Sequence, residues 1–450
     1  MSLTQALAEY IASARDQALP SSALDATKFH ILDTVAACVS GAMLEPGKIG
    51  ASFSATHSPP GKAVIFAGPA SVTSAYAVLA NGMAGHADET DDSHDNSKVH
   101  PGCSIVPTAL AVAHEEKSSG SDVLRAVALG YDVGPRLNMT LWPRYEDVRA
   151  ERRGTSVTGG AFGSASAAAS LRGLDPVRVQ HLLSYVAQQV SGMNTWLTEA
   201  AHVEKAYMHG AWPAYSALLA LSLVEHGLTG NPEILDGDPN FIDIVGKNPD
   251  RDVLLHEIGS RFEIERTNLK PFPAGSPVQA PLQGLFEIMR DEGLSSDAIH
   301  KLKVTIPTAR ARTVASSRSM ANINLNYLLS IALTDGEFTF DAAHDHDRFE
   351  AWRESGGDSR VEIIADDSMA PKRQAIVEVT AADGSQYRRW TTKIKGSYEN
   401  PMTYAEVEAK AVGLIAPVLG RGRAEAICTF VLSLEDQASI DELMMLLVHD

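Results

Sequence analysis

The feature that most restricts the fold is the composition of the first 260 residues, which are rich in Ala and Leu and contain few β-rich runs. Within them, the segments 75–83 and 160–171 are rich in small residues. Because small side chains let helices approach closely, we expect both segments to be interior helices of a bundle. Helices are predicted at 3–16, 23–42, 71–86, 103–117, 121–139, 157–171, 175–192 and 206–226.

The pattern changes near residue 261, where short segments of alternating polar and apolar residues begin with 262–266. Asp383-Gly384 separates two such segments and is typical of a β-hairpin. Thr403 and Glu406 form a capping box that begins a further helix. Strands are predicted at 301–306, 361–365, 375–380 and 387–391, and helices at 277–292, 322–334, 403–418 and 439–448.

These elements predict a mainly α protein with two domains. A large all-helical domain, residues 1–265, is completed by residues 400–450, and a smaller α+β domain spans residues 266–399. A chain of 450 residues is long enough for two or three domains. Clefts between domains are favoured ligand sites.

The charge balance limits the partners that we expect. Lys and Arg total 38 and Asp and Glu total 56, so the net charge is −18. An acidic chain repels phosphate backbones, which argues against nucleic acid as a partner. An anionic substrate would require Lys and Arg side chains gathered locally against the field of the whole protein.

Cysteine usage and the N-terminus predict a cytoplasmic protein. The spacing of Cys38, Cys103 and Cys428 fits no disulfide framework, zinc site or iron–sulfur cluster. The first 17 residues lack a basic region followed by an apolar run, so no signal peptide is expected. No stretch of about 18 apolar residues is present, so we expect no contact with a membrane.

Residues 85–102, GHADETDDSHDNSKVHPG, concentrate titratable groups more than any other stretch. They follow one apolar helix and precede another, so they form a connecting loop on a rigid scaffold. Loops of this kind often hold active sites. The titratable and polar candidates in the loop are His86, Asp88, Glu89, Asp91, Asp92, Ser93, His94, Asp95, Lys98 and His100.

Three interpretations of this loop are open. It can be a solvated acidic segment whose carboxylates cap the next helix. It can be a metal site, because His and Asp both ligate metals, although it contains neither an i, i+4 His pair nor a Cys. It can also be a cofactor-free site in which a His and carboxylates exchange protons.

The loop resembles the signature of the MmgE/PrpD family, G-H-A-x-D-F-D-D-T-H followed shortly by H-P. Residues 85–94 match it without a gap, and residues 100–102 supply the second part. The family includes 2-methylcitrate dehydratase, cis-aconitate decarboxylase and iminodisuccinate epimerase. The resemblance extends over nearly the whole chain, through Ile31–Thr34, Gly160–Gly163, Lys205, Lys270–Pro273, Tyr327 and Asn400-Pro401.

The resemblance implies a large helical domain with a smaller α+β lid, usually in a homodimer. It implies a lyase that acts on a small di- or tricarboxylate without a cofactor or a metal. One alternative is an epimerase or isomerase of an amino- or imino-dicarboxylate such as iminodisuccinate. Alternatives of other classes are a non-catalytic metabolite-binding homologue and a metal-dependent hydrolase.

Carried over residue by residue, the resemblance also implies the members of the site. The catalytic candidates are His100, Lys205, Lys270 and Tyr327, and the substrate-binding candidates are Ser93, Glu89, Asp92, Arg153 and Gln279. His100 is the leading acid or base, because imidazole titrates near neutral pH. Lys205, Lys270 and Arg153 would hold carboxylates. His86 and His94 are expected to be structural.

Two positions depart from the family pattern. Many dehydratases and decarboxylases of the family have a His shortly before G-A-F-G, where this chain has Gly154 beside Arg152 and Arg153. Many also have a His after the K-P-F-P run, where the nearest match here is Gln279. We expect these differences to change either the substrate or the proton relay.

Overall fold

The computed structural model describes residues 1–68, 71–144, 147, 154–199, 202–314 and 320–449. Within these ranges the protein is mainly helical, with a small mixed sheet in its C-terminal half. The expected fold class is therefore confirmed.

Helices build most of the described chain up to residue 255. They are α1 (Leu3–Ser13), α2 (Ser21–Gly41), α3 (Glu45–His57), α4 (Ser74–Gly85), α5 (Gly102–Glu116), α6 (Gly120–Leu141), α7 (Thr155–Leu171), α8 (Pro176–Gln189), α9 (Val203–Ala206), α10 (Trp212–Glu225), α11 (Phe241–Val245) and α12 (Asp252–Leu255). Every helix predicted here is present. The sequence did not predict α3, or the hairpin of β1 (Pro60–Val64) and β2 (Ser71–Val72).

Small residues bring α6 and α7 into close contact, as expected. A Cβ atom added to Gly163 would lie 2.7 Å from the carbonyl oxygen of Gly130. One added to Gly159 would lie 3.1 Å from the carbonyl oxygen of Gly134. The backbones of the two helices therefore touch, and nearly all of α7 is buried.

A four-stranded sheet forms the smaller part of the molecule. Its strands are β5 (Ile299–Pro307), β6 (Val361–Asp366), β7 (Ala375–Ala381) and β8 (Gln386–Thr391) in the order β6-β5-β7-β8. β6 runs parallel to β5, whereas β7 is antiparallel to both β5 and β8. The predicted strands and the hairpin at Asp383-Gly384 are confirmed.

Helices pack against this sheet and connect its strands. They are α13 (Gln279–Asp291), α14 (Thr308–Ala311), α15 (Leu325–Asp335), α16 (Phe340–Ala343) and α17 (His346–Glu354). α13 and α15 share a hydrophobic core with β5 and β7. The alternating segment 262–266 forms a 3-10 helix, Glu263–Arg266, and the strand β4 (Thr267–Asn268) follows it.

The C-terminal helices return to the larger helical part. They are α18 (Tyr404–Leu419), α19 (Arg421–Leu432) and α20 (Asp441–Leu446). Their apolar residues share one core with α2 and α5. Lys410 of α18 pairs with Asp33 of α2 and donates to the carbonyl oxygen of Thr90 at 3.0 Å. These contacts pack the C-terminal helices against the larger helical part, and the domain bounds given above remain a prediction.

The three cysteines, Cys38, Cys103 and Cys428, are buried and form no disulfide with one another. In the part of the chain that the structure describes, no helix has the length and apolar character needed to span a bilayer.

Candidate active site

Most of the loop 85–102 is buried. Its strand β3 (Ser93–His94) pairs antiparallel with β4, and residues His86–His94 are almost completely inaccessible to solvent. The interpretation of this loop as a solvated acidic segment is therefore wrong. Burial of a carboxylate costs free energy unless the carboxylate is paired, so the partners of each acid define what the loop can do.

Asp92 anchors the loop to the helical scaffold. Its Oδ2 lies 2.6 Å from Nδ1 of His30 and accepts a hydrogen bond from Tyr131 Oη at 2.7 Å. Its Oδ1 accepts from the N–H of Gly102 at 3.1 Å. These contacts hold the start of α5, and the structure does not bring Asp92 to the cavity described below.

Asp91 holds two imidazole rings. Its Oδ2 lies 2.8 Å from Nδ1 of His86, and its Oδ1 lies 3.2 Å from Nδ1 of His100 and 3.5 Å from Nζ of Lys270. Burial raises the pKa of the Asp91 carboxyl, but His86, His100 and Lys270 outweigh burial and hold it well below its usual range. An ionised Asp91 accepts a hydrogen bond from Nδ1–H of each ring, so the neutral form of either ring has its basic nitrogen at Nε2.

A cavity of about 410 Å3 lies between this loop and the smaller α+β part, a size typical of small-molecule sites. The predicted residues His100, Lys205, Glu89 and Ser93 line it. Cationic side chains outnumber carboxylates among the described lining residues. The cations are Lys98, Lys205, Arg310, Arg312 and Arg373, and the carboxylates are Glu89 and Asp95. The cavity therefore gathers positive charge within an acidic protein.

Glu89 fixes Lys205 in the cavity wall. The two side chains form a buried ion pair, and Nζ of Lys205 lies 4.6 Å from the ring centre of Trp196. Lys270 donates to the carbonyl oxygen of Glu89 at 2.8 Å, and His202 Nε2 lies 3.2 Å from Glu89 Oε1. Burial raises the pKa of Glu89, but Lys205 and Lys270 hold it well below its usual range. Lys270 itself is fully buried and lies behind the lining.

His209 also lines the cavity, from a π-helical turn, Tyr207–Ala211, that joins α9 to α10. Such turns are frequent at functional sites. Its ring stacks on His86 with the centroids 4.6 Å apart, and it lies 5.3 Å from the ring of His100. Burial lowers the pKa of His86 to about 3 and places the pKa of His209 well below its usual range. Both rings are therefore neutral at pH 7.

The three imidazoles approach one another closely enough to hold a metal ion. Ligand atoms of His86, His100 and His209 lie within 4.8 Å of one another, as do those of His86, Asp91 and Cys103. Burial is the largest cause of the lowered pKa of His86 and His209; the ammonium of Lys205 lowers both further, whereas Asp91 raises them.

Tyr327, a predicted catalytic residue, lies in the core of the smaller part on α15. Its hydroxyl donates to the carbonyl oxygens of Ala342 at 3.4 Å and Asp345 at 3.3 Å, and its ring packs against Phe349. Burial raises the pKa of its hydroxyl to about 12. The structure does not bring Tyr327 to the cavity, because the core holds its ring and backbone carbonyls hold its hydroxyl.

Gln279, a predicted substrate-binding residue, is buried and hydrogen-bonds to the backbone of the loop that precedes α13. Its Nε2 donates to the carbonyl oxygens of Phe272 at 2.9 Å and Ala274 at 2.8 Å, and its Oε1 accepts from the N–H of Phe272. These backbone contacts use its amide, and it is not part of the cavity lining. Arg153, with Arg152, lies outside the described residues.

At position 154, where many family members have a His, the space beside the backbone is filled by Met208. A Cβ atom there would overlap Sδ of Met208, the neighbour of His209. The N–H of Gly154 donates to the carbonyl oxygen of Gly192 at 3.0 Å. A histidine at position 154 would therefore require Met208 to move.

Sequence reasoning missed His209, Arg310 and Arg373. His209 follows Lys205 by four residues, and this spacing places both on one helical face, so the signal was present. Arg310 lies in α14, which follows β5, and Arg373 precedes β7. No spacing rule connects them to the loop 85–102, because only the tertiary fold brings them there.

Comparison with known protein families confirms the resemblance. A family model described as the MmgE/PrpD N-terminal domain matches residues 5–253, and one described as the MmgE/PrpD C-terminal domain matches residues 272–436. Together the two models cover most of the chain.

Comparison with individual proteins gives distant relatives of similar length. The chain is 24% identical over 470 residues to a human (Homo sapiens) cis-aconitate decarboxylase, a match that spans 99% of this chain and 94% of the relative. It is 23% identical over 460 residues to a cis-aconitate decarboxylase of Aspergillus terreus, spanning 95% and 92% of the two chains. It is 21% identical over 477 residues to a cis-aconitate decarboxylase-like protein of Aspergillus oryzae, spanning 99% and 97%.

Proposed function

Because the chain belongs to the MmgE/PrpD family, we propose that it is a lyase that acts on a small di- or tricarboxylate without a cofactor. The reaction is decarboxylation or dehydration by proton transfer next to a carboxylate. The names of the relatives, cis-aconitate decarboxylases, support a lyase. The observation that carries the proposal is the cavity, which combines His100 and Lys205 with an excess of cationic side chains.

In this proposal, His100 exchanges the proton. The ionised Asp91 holds Nδ1–H of His100, which leaves Nε2 as the basic nitrogen of a side chain in the cavity wall. Lys205 stabilises the negative charge that develops on the substrate, because a cation in a partly desolvated wall acts strongly on nearby charge. Glu89 and Trp196 keep Lys205 in place. Lys270 acts as a positioning residue through Glu89 and Asp91.

One acid–base group serves both lyase reactions. In decarboxylation the C–C bond to the departing carboxylate breaks, CO2 leaves, and the remaining electron pair takes one proton. In dehydration the base removes a proton from carbon and the departing hydroxyl takes a proton, so one group can perform both transfers. Ser93 orients the substrate in this proposal, because it lines the same cavity.

Turnover of a panel of di- and tricarboxylates, cis-aconitate included, tests the function. We expect CO2 release or water loss from at least one acid, and undiminished activity after treatment with a strong chelator. Loss of activity that zinc or iron restores would show that the three imidazoles work as a metal site. Epimerisation without release of CO2 or water would identify an isomerase.

We also propose the homodimer implied by the family. The rings of Phe53, Tyr76, Tyr215, Trp212 and Tyr207 form a continuous series with neighbouring centroids no more than 6.2 Å apart. Phe53 and Tyr207 are 46% and 45% exposed, and exposed apolar patches commonly mark interfaces. Light scattering on the wild type should give the mass of two chains, and on Phe53→Glu the mass of one.

A further inference from the structure

Three imidazole rings from three separate segments meet beside the cavity. His86 directly follows α4, His100 lies two residues before α5, and His209 lies in the π-helical turn. The ring centroids of His86 and His100 are 4.6 Å apart, and one ligand nitrogen of each of the three rings lies within 4.8 Å of the others. The proposed proton transfer uses His100 alone, so it does not account for this convergence.

Two of these rings have a buried nitrogen without a hydrogen-bond partner among the described residues. These atoms are Nε2 of His86 and Nδ1 of His209. His100 contacts Asp91 through Nδ1, which leaves Nε2 as its second ring nitrogen. Because a buried polar atom without a partner costs free energy, a ligand that engages the nitrogens of His86 and His209 gains stability from them.

Asp91 supplies the outer contacts that metal-binding histidines usually have. A histidine that binds a metal ion through one nitrogen almost always donates its other N–H to a carboxylate, a backbone carbonyl or water. Asp91 is fully buried, and its two oxygens take this part for His86 and His100 at once, at 2.8 and 3.2 Å. The nearby ammonium of Lys205 is paired with Glu89.

Coordination requires one change in the site. The ring of His209 is parallel to that of His86 to within 10°. An ion bound to an imidazole nitrogen lies near the plane of the ring, so two parallel stacked rings cannot both hold one ion. The His209 ring must therefore turn about its Cβ–Cγ bond, and it gives up only ring contacts, because no described residue accepts from or donates to its Nδ1.

We propose that His86, His100 and His209 form a site for a divalent transition ion of the zinc class, and that the bound ion inhibits the enzyme. Imidazole nitrogens suit zinc and its neighbours rather than magnesium or calcium. His100 and His209 line the cavity, so the ion enters from there and keeps an open position towards it. The inhibition rests on the proposed function, because the ion occupies the nitrogen with which His100 would exchange the proton, whereas the site itself does not.

Metal binding without any acid present tests the site. We expect chelator-treated protein to bind one Zn2+ per chain by calorimetry and to give the visible absorption of tetrahedral Co2+. His209→Phe keeps a ring to stack on His86 but lacks a ligand nitrogen, so it should weaken the binding of both ions about tenfold or more. His226→Asn, which removes an exposed histidine, should leave binding unchanged. Absence of binding in the wild type, or undiminished binding in His209→Phe, would overturn the proposal.

Cys103→Ser distinguishes this site from the second group of ligand atoms nearby, which consists of His86, Asp91 and Cys103. The thiol of Cys103 donates to the carbonyl oxygen of His100 at 3.3 Å, and we expect it not to bind the ion. Cys103→Ser should therefore keep the affinity and the Co2+ spectrum of the wild type. Loss of binding in this variant, or a near-ultraviolet charge-transfer band from sulfur to Co2+ in the wild type, would place the ion on the thiol and overturn the proposal.

Turnover at buffered concentrations of free Zn2+ tests the inhibition. The wild type should lose activity in step with zinc occupancy and regain it when a chelator is added. The activity that His209→Phe retains should need about tenfold more zinc for the same fractional loss. Activation by zinc, or full activity at full occupancy, would overturn the inhibitory role. If no acid is turned over but the ions bind as described, the metal site stands and the proposed reaction fails.

Discussion

His100 differs from His86 in its access to the cavity. Its side chain is 13% exposed, whereas that of His86 is fully buried and stacked against His209. The same carboxylate, Asp91, holds both His86 and His100. The two rings thus share a partner, but only His100 lines the space in which a substrate can lie.

Replacement of His100 by Asn should therefore separate catalysis from folding. Asn keeps a polar group near Asp91 but cannot exchange a proton, so turnover should fall about 100-fold or more while the melting temperature changes little. His226→Asn, on the exposed end of α10, should leave both quantities unchanged. Near-normal turnover in His100→Asn would make this residue structural and pass the acid–base role to Lys205.

At the scale of elements, the position of His209 depends on one close helix crossing. A Cβ atom on Gly82 of α4 would lie 2.5 Å from the carbonyl oxygen of Gly210, the residue after His209. Glycine at both positions lets α4 touch the π-helical turn directly. This contact positions the backbone of the turn. It therefore also positions the ring of His209 that stacks on His86.

Gly82→Ala should push the turn away from α4. The crowding should cost about 1–3 kcal/mol in the free energy of unfolding, as overpacking usually does, and should lower activity by displacing His209. Gly413→Ala is the matched control, because a Cβ there meets no atom within 4 Å on the exposed side of α18. It should stabilise the protein by up to about 1 kcal/mol, and urea unfolding of both variants measures the contrast. Equal effects of the two substitutions would refute the role of the crossing.

The elements that the sequence predicted are those with a strong local signal. The small-residue segment of α7 and the alternating strands β5 and β7 have clear local patterns. In contrast, α3 is rich in Gly and Ser, and its helix is stabilised by packing on α4.

The site residues that the sequence predicted are likewise those with a local signal. The loop 85–102 lies in one stretch of sequence, but the two arginines of the smaller part reach it only through the fold. The placement of Tyr327 and Gln279 also depended on tertiary contacts that no motif encodes.

At the scale of the whole molecule, His344 links the smaller part to the loop of the site. Its Nε2 lies 3.1 Å from Oδ2 of Asp88. Burial lowers the pKa of His344, but Asp88 outweighs burial and raises it above its ordinary value. Burial raises the pKa of Asp88, but the hydrogen bond and charge of His344, with Thr90, lower it below its ordinary value. Both shifts mean that the ionised pair is more stable in the folded protein.

The contribution of this pair to stability should depend on pH at both ends. The part due to His344 is complete below the ordinary His pKa of about 6.5 and is lost as the pH rises through the raised pKa of the folded state. The part due to Asp88 is complete above about pH 4 and is lost as the pH falls through its lowered pKa. The difference in unfolding free energy between wild type and His344→Gln should therefore be largest between about pH 4 and 6.5. A difference that is the same at about pH 5.5 and pH 9 would disprove the link.

The central claim is that His100 moves a proton at a carbon of a small polycarboxylate. Proton NMR in D2O measures this directly, with the panel of acids incubated with the wild type and with His100→Asn. We predict that the wild type places solvent deuterium at one carbon of the product or of the recovered acid, and that His100→Asn does so about 100-fold more slowly while remaining folded. The absence of deuterium from every acid and product with the wild type, or incorporation by His100→Asn at the wild-type rate, would contradict the claim.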